Sequence, residues 1–212
     1  MRVPMPLVVS LAAGGLVCAI GAMMLLDGHQ RRTSLPTAAN MGLQIPAFDL
    51  LDQNGRPADE SLLDGELTLA GFIFTNCPGL CPMMTSVMAE AQNRLADTPM
   101  RLVSFSLDAE RDTPIAMKAF GERFGASFVN WTFLTGSTEV TRSIVRDGLR
   151  LVVEDEDENQ VPTSDGGTMA NVLHPTRMIL IGPDRGVLGF YSVSNPAELD
   201  RLEKDVRALV GG

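Results

Sequence analysis

Leu67-Thr68-Leu69-Ala70-Gly71-Phe72-Ile73-Phe74-Thr75-Asn76-Cys77-Pro78-Gly79-Leu80-Cys81-Pro82 is the stretch on which the reading of this chain turns. Leu67 to Phe74 is a short apolar run bounded by Gly65 and Cys77, as a central strand buried on both faces requires. A helix is expected from Pro82 to about Ala96, since proline fits a first helical turn, where its missing N–H goes unused. The two cysteines therefore stand at the carboxyl end of a buried strand, just before a helix, where α/β sheets place their ligands.

Outward from this stretch, strand and helix patterns alternate. On the amino-terminal side, Phe48 to Leu51 and the residues after Arg56 flank Gln53-Asn54-Gly55 and read as a hairpin, with Asn-Gly supplying the φ > 0 positions of a tight turn. On the carboxyl side, Met100 to Leu107 alternates as a strand, and Thr113 with Pro114 caps and opens a helix to about Phe124. Trp131 to Leu134, Ser137 to Leu149 and Leu151 to Val153 read as strand, helix and strand. Met178 to Ile181, a Pro183-Asp184-Arg185-Gly186 turn, Val187 to Val193 and a helix from Pro196 to Leu209 end the chain. This pattern is α/β: a mostly parallel sheet with an antiparallel closing hairpin.

The chain has 212 residues, 45% of them hydrophobic, enough for one core and far too apolar for a disordered chain. Three cysteines exclude a disulfide scaffold. Arg2, Arg31 and Arg32 against Asp27 make the first 32 residues net +2, so the overall −9 leaves −11 on the remainder. Such a domain does not hold a phosphate backbone, and no nucleic acid partner is expected.

Val3 to Leu26 carries no charge, and Leu7 to Leu26 has the length of a helix that crosses a bilayer core. A cleaved signal peptide is the rival reading, but no small-x-small site follows closely; Thr37, Ala38 and Ala39 lie too far downstream. Leu16 and Val17 stand where an acylated Cys18 would need small residues. Residues 1–28 are thus expected to be an uncleaved membrane anchor, 29–40 a polar linker with Pro36, and 41–212 the soluble domain. Basic residues flank the helix on both sides, so charge does not set its orientation.

Two thiols at a helix amino terminus are expected to have lowered pKa values, with thiolate available near neutral pH. A purely stabilising disulfide is a weak alternative, because closing so short a loop removes little unfolded-state entropy. Three residues separate the cysteines, against two in thioredoxin-like redox loops. Residues four apart on a helix share a face with Cα atoms about 6 Å apart, so both sulfurs can reach one atom or close into a disulfide. Soft thiolates suit Cu(I) and zinc, and an added imidazole accommodates Cu(II), whereas a structural zinc site wants four ligands and only one Cys pair exists here. His174 is the single histidine beyond the linker, after Asp165-Gly166-Gly167-Thr168 and before the Met178 strand. It is either a structural histidine or a third ligand that swings towards the thiols.

These residues resemble the Sco/SenC family of membrane-anchored copper chaperones, which have a thioredoxin-like fold. The resemblance rests on the anchor, Thr75 to Pro82, Ser106-Leu107-Asp108-Ala109-Glu110-Arg111-Asp112-Thr113-Pro114, and His174 ahead of a strand ending in Gly182-Pro183-Asp184. It implies a thioredoxin-like domain with an N-terminal hairpin extension and a single N-terminal transmembrane helix. It further implies one copper ion held by Cys77, Cys81 and His174 and delivered to the binuclear copper site of a haem-copper oxidase. The implied partners are the copper-receiving oxidase subunit and a periplasmic copper donor or thiol reductant. No Arg-rich, Ser-rich transit segment precedes the anchor, so the expected location is a bacterial inner membrane with the domain in the periplasm. Three positions depart from the family pattern: Gly79 where an acidic residue is frequent, Ala109 where proline is frequent, and Leu173 where aspartate is usual.

The alternative function is a thiol-disulfide reductase in which Cys77 and Cys81 cycle as a redox-active disulfide and keep a partner's cysteines reduced. A peroxiredoxin relative fits less well, because Thr75 lies two residues before Cys77 rather than three. Met83, Met84 and Met88 read as core filler, Glu154 to Glu158 as a solvated acidic loop, and Trp131 as core. Asp112 reads as part of the helix-capping sequence, with no chemistry of its own.

Overall fold

A computed structural model describes residues 42–151, 156–162, 166–171 and 177–211. All of them fall within Pro36–Gly212, the second of two units into which the chain divides. In chain order the elements are β1 (Asp49–Asp52), β2 (Pro57–Asp59), a 3-10 turn (Glu60–Leu63), β3 (Leu67–Ile73), α1 (Leu80–Arg94), β4 (Met100–Ser106) and α2 (Pro114–Arg123). They continue with β5 (Trp131–Thr135), α3 (Thr138–Ser143), a π turn (Ile144–Gly148), β6 (Glu156–Pro162), β7 (Thr168–Asn171), β8 (Arg177–Ile181), β9 (Val187–Ser192) and α4 (Pro196–Val210).

One seven-stranded sheet carries the order β2-β1-β5-β4-β3-β8-β9. β3, β4 and β5 are parallel, with α1 and α2 supplying the crossover connections that parallel neighbours require. β1 joins β5 antiparallel, and β8 and β9 add an antiparallel hairpin against β3. The mixed sheet matches the expected α/β class with its hairpin extension, but it is not mostly parallel: four of its six pairings are antiparallel, because the first hairpin joins β5 antiparallel and the β8–β9 hairpin closes against β3. β3 is buried along its whole length because both faces are covered. Leu67, Leu69 and Ile73 join the core beneath the helices, with Met117 and Phe120 of α2 and Leu199 and Leu202 of α4. Ala70 and Phe72 face a second core closed by Leu43, Ile45, Phe48, Leu63, Ile144 and Leu149. Each such large side chain contributes on the order of 1.5–3 kcal/mol by leaving water.

Gly71 sets how closely α1 approaches the sheet: a Cβ there would lie 2.8 Å from Met88 Sδ and 3.3 Å from Met84 Sδ. Met84 and Met88 are accordingly core residues, and Met83 packs half-buried against the same core. Trp131 is fully buried, its indole N–H donating to Ser104 Oγ at 3.0 Å.

Several local expectations are corrected. In the first hairpin only Gly55 adopts positive φ (75°), and the turn is instead held by the Asp52 carboxylate, which accepts from the N–H groups of Asn54 and Arg56. α1 begins at Leu80 rather than Pro82. The single helix expected over Ser137 to Leu149 is a six-residue α-helix that widens into the π turn. There Gly148 packs so closely that a Cβ would meet Pro46 Cδ at 2.7 Å. The acidic run is not simply a loop, since Glu156 to Glu158 begin β6, which pairs antiparallel with β7. The expected strand Leu151 to Val153 falls largely outside the described residues, as do the proposed anchor and linker. Among the described residues no helix is long and apolar enough to cross a membrane.

Candidate functional site

β3 delivers the chain to Phe74, a turn at Thr75 and Asn76 carries it to Cys77, and α1 starts three residues later. Cys77 therefore stands outside the helix, and the thiol pair is not two positions on one helical face. What brings the sulfurs together is a set of backbone hydrogen bonds. The Cys77 N–H donates to the Phe74 carbonyl at 3.3 Å, the Phe74 N–H donates to Cys81 Sγ at 3.4 Å, and the Cys81 N–H donates to Cys77 Sγ at 3.4 Å. The helix cap Gly79 offers no side-chain acceptor. The Cys77 sulfur takes that place for the second helical N–H, one of the donors that a helix start leaves without a partner. The partial positive charge of the helix end thus falls on the Cys77 sulfur.

Both residues are thiols and both are buried, Cys77 at 8% and Cys81 at 1% exposure, beneath an exposed Pro78-Gly79-Leu80 crest. The Cys81 thiol is pushed far up rather than down, contrary to the expectation for both thiols. Its hydrogen bond with Cys77 comes first, burial second, and the nearby charges of Cys77 and Asp112 add to them against the opposing Phe74 N–H. The helix dipole does not rescue a thiol buried beside a second sulfur and a carboxylate.

Asp112, read in the sequence as part of a cap, is a fully buried carboxylate at this site. Its Oδ1 accepts from the Thr75 N–H at 3.0 Å and from the Thr75 hydroxyl, and its Oδ2 accepts from Ser106 Oγ at 2.7 Å. Burial raises its pKa, and those hydrogen bonds oppose the rise. The signal that marks it is an acidic residue one position before the N-cap Thr113, in a place where Thr113 alone already accepts from the Ala116 N–H. Two departures from the family pattern also find structural counterparts. The Ala109 N–H donates to Thr138 Oγ1 at 3.3 Å, a bond that proline has no hydrogen to make. A side chain at Gly79 would meet nothing within 4 Å, so glycine there withholds a capping group without relieving any crowding. His174 and Leu173 lie outside the described residues, and among the described residues no group of three His, Cys, Asp or Glu side chains is placed to hold a metal ion.

The family model described as SCO1/SenC matches residues 37–211. The chain belongs to the SCO1/SenC family. A SCO1 protein homolog of Bacillus subtilis is 33% identical over 172 residues, covering 79% of this chain and 83% of the relative. Among solved structures, a SCO1/SenC family lipoprotein of Bacillus anthracis shares 28% identity with a TM-score of 0.68, over 81% of this chain and 97% of that one. BsSco, a member of the Sco family of cytochrome c oxidase assembly proteins in which a disulfide switch has been identified, shares 32% identity with a TM-score of 0.65, over 79% and 94%. A copper-bound ScoI of Bradyrhizobium japonicum shares 27% identity with a TM-score of 0.58, over 76% and 98%. These Sco structures share the mixed α/β, thioredoxin-like fold with this chain.

Proposed function

We propose that this SCO1/SenC protein is a membrane-anchored copper chaperone that holds one copper ion through Cys77, Cys81 and His174. It delivers the ion to the binuclear copper site of a haem-copper oxidase. The observation that carries this reading is the mutual arrangement of the two sulfurs: hydrogen-bonded to one another, joined through Phe74 and the helix start, and lying under a solvent-exposed crest. Two soft sulfurs held at one point favour Cu(I), and His174 adds the imidazole that Cu(II) prefers. The copper-bound ScoI and the oxidase assembly role of the Sco family support the same cargo and recipient. Residues 1–28 form the anchor, 29–40 the linker and 41–212 the copper-binding domain, placed in the periplasm of a bacterial inner membrane.

Delivery proceeds by ligand exchange. The thiols give up their protons as copper binds, which overcomes the raised pKa of Cys81, and the recipient's ligands replace the sulfurs one at a time so that copper is never released to water. A donor protein loads the site, and a periplasmic reductant keeps it open, since an oxidising compartment closes the pair. The second reading, a thiol-disulfide reductase acting on a partner's copper-ligand cysteines, uses the same two sulfurs. It is favoured by their proximity and by the disulfide switch identified in BsSco.

Anaerobic copper titration of the protein tests binding. Reduced protein is expected to show a sharp break at one Cu(I) per chain, and disulfide-oxidised protein essentially no uptake, because a disulfide sulfur lacks thiolate donor strength. Equal uptake by the two forms would exclude Cys77 and Cys81 as the ligands.

A further inference from the structure

We infer that Asp112 is the positioning residue of the cysteine loop, acting on Cys77 through the single peptide unit that joins Phe74 to Thr75. The N–H of that unit donates to Asp112 Oδ1 at 3.0 Å, and its carbonyl accepts the Cys77 N–H at 3.3 Å. A peptide unit is planar and its N–H and C=O point in opposite directions, so fixing one end fixes the other. A carboxylate with no exposed surface, itself held by Ser106 of β4, is thus the clamp that sets where Cys77 sits.

Phe74 is held on its other side as well, since its N–H, part of the preceding peptide unit, donates to Cys81 Sγ at 3.4 Å. The Asp112 carboxylate also polarises the Thr75 N–H and thereby strengthens the carbonyl acceptor on the far side of that peptide. The clamp is anchored by strong partners: Asp112's own N–H donates to the Asp108 carbonyl at 2.8 Å, and the Asp108 N–H donates to Ser106 Oγ at 3.1 Å. The hydrogen bonds of Asp112 act on the loop that carries Cys77.

Amide hydrogen exchange of the full-length reduced protein in detergent tests this without any metal. Asp112→Ala is expected to accelerate exchange of the Cys77 N–H by roughly tenfold or more relative to core amides of β4, because the bond opens locally. Asp112→Asn keeps an acceptor for the Thr75 N–H and is expected to leave that exchange near the wild-type rate. Ser106→Ala removes the other anchor of the carboxylate; it is expected to lower the melting temperature while leaving Cys77 protected. If Asp112→Ala does not fold, Asp112→Ser, whose side chain is one atom shorter than Asp, is read in its place.

The consequence for copper rests on the proposed function. Asp112→Ala is expected to weaken Cu(I) binding by about 10–100-fold, as loss of a contact supporting a ligand does, with Asp112→Asn restoring it. Unchanged Cys77 exchange in Asp112→Ala, or equal acceleration in Ser106→Ala, overturns the positioning role. Failure of the wild-type protein to bind copper would instead remove the copper reading, while the exchange result still decides the role of Asp112.

Discussion

Cys77→Ser and Cys81→Ser each remove stoichiometric Cu(I) binding, the larger of the two effects expected for this protein. A hydroxyl is a hard donor with little affinity for Cu(I), so the loss exceeds the roughly 10–100-fold typical of a contact that only supports a ligand. The two variants differ in their structural cost. Cys77 Sγ accepts the Cys81 N–H and fills the place of a helix cap, which a serine oxygen also fills. Cys81 is buried more deeply and accepts from Phe74, so Cys81→Ser places a shorter and more polar atom against the core. Competition with a chromophoric Cu(I) chelator checks the affinity, and thermal melts of the same samples check the fold. A folded Cys81→Ser protein with wild-type affinity would take Cys81 out of the ligand set.

His174→Ala has the second largest effect and separates the two functions that the sulfurs allow. For a chaperone, the variant loses most of its Cu(II) affinity, because Cu(II) favours imidazole, while two-thiolate Cu(I) binding persists. For a reductase, His174 has no required role, and thiol-disulfide exchange and oxidase maturation in cells continue, since the rate follows the thiols and their access. A stably folded His174→Ala protein with unchanged Cu(II) affinity and unchanged oxidase maturation contradicts the chaperone function. Leu173 enters here, because a leucine supplies no carboxylate to orient the imidazole that follows it.

The parts of the fold that declared themselves in the sequence are those where one physical demand dominates. Leu67 to Phe74 is apolar throughout because both faces of β3 are covered, and Leu69, Phe72, Phe74, Val103, Phe105, Ile179 and Leu180 are all buried as their strand patterns require. Thr113 and Pro114 announce α2 because capping and the fixed proline φ act locally. The π turn is not legible in the sequence, since what its closing Gly148 packs against, Pro46, lies about a hundred residues away along the chain. β6 was hidden for a different reason: Glu156-Asp157-Glu158-Asn159 has poor strand propensity, and pairing with β7 overrides it.

The same division runs through the site. The cysteine pair was legible because its residues and spacing are local. The raised pKa of Cys81 was not, because it comes first from the hydrogen bond with Cys77 and then from burial, both set only by the folded loop, with a smaller contribution from Asp112, far from the pair in sequence. Asp112 reads in the sequence as a capping residue because its bonding partners Thr75 and Ser106 meet it only once β3 and β4 are paired.

Copper movement between purified proteins is the most direct measurement. The protein loaded with one Cu(I) is mixed anaerobically with the reduced, copper-free copper-receiving domain of the oxidase, and the two are separated and assayed for metal. Chaperone function requires copper to appear in the recipient and both Cys77 and Cys81 to return as thiols, with Cys77→Ser protein transferring none. A reduced recipient that stays free of copper, while a disulfide-oxidised sample of the same domain is reduced at the expense of the Cys77–Cys81 dithiol of the copper-free protein, would contradict delivery and establish the reductase instead.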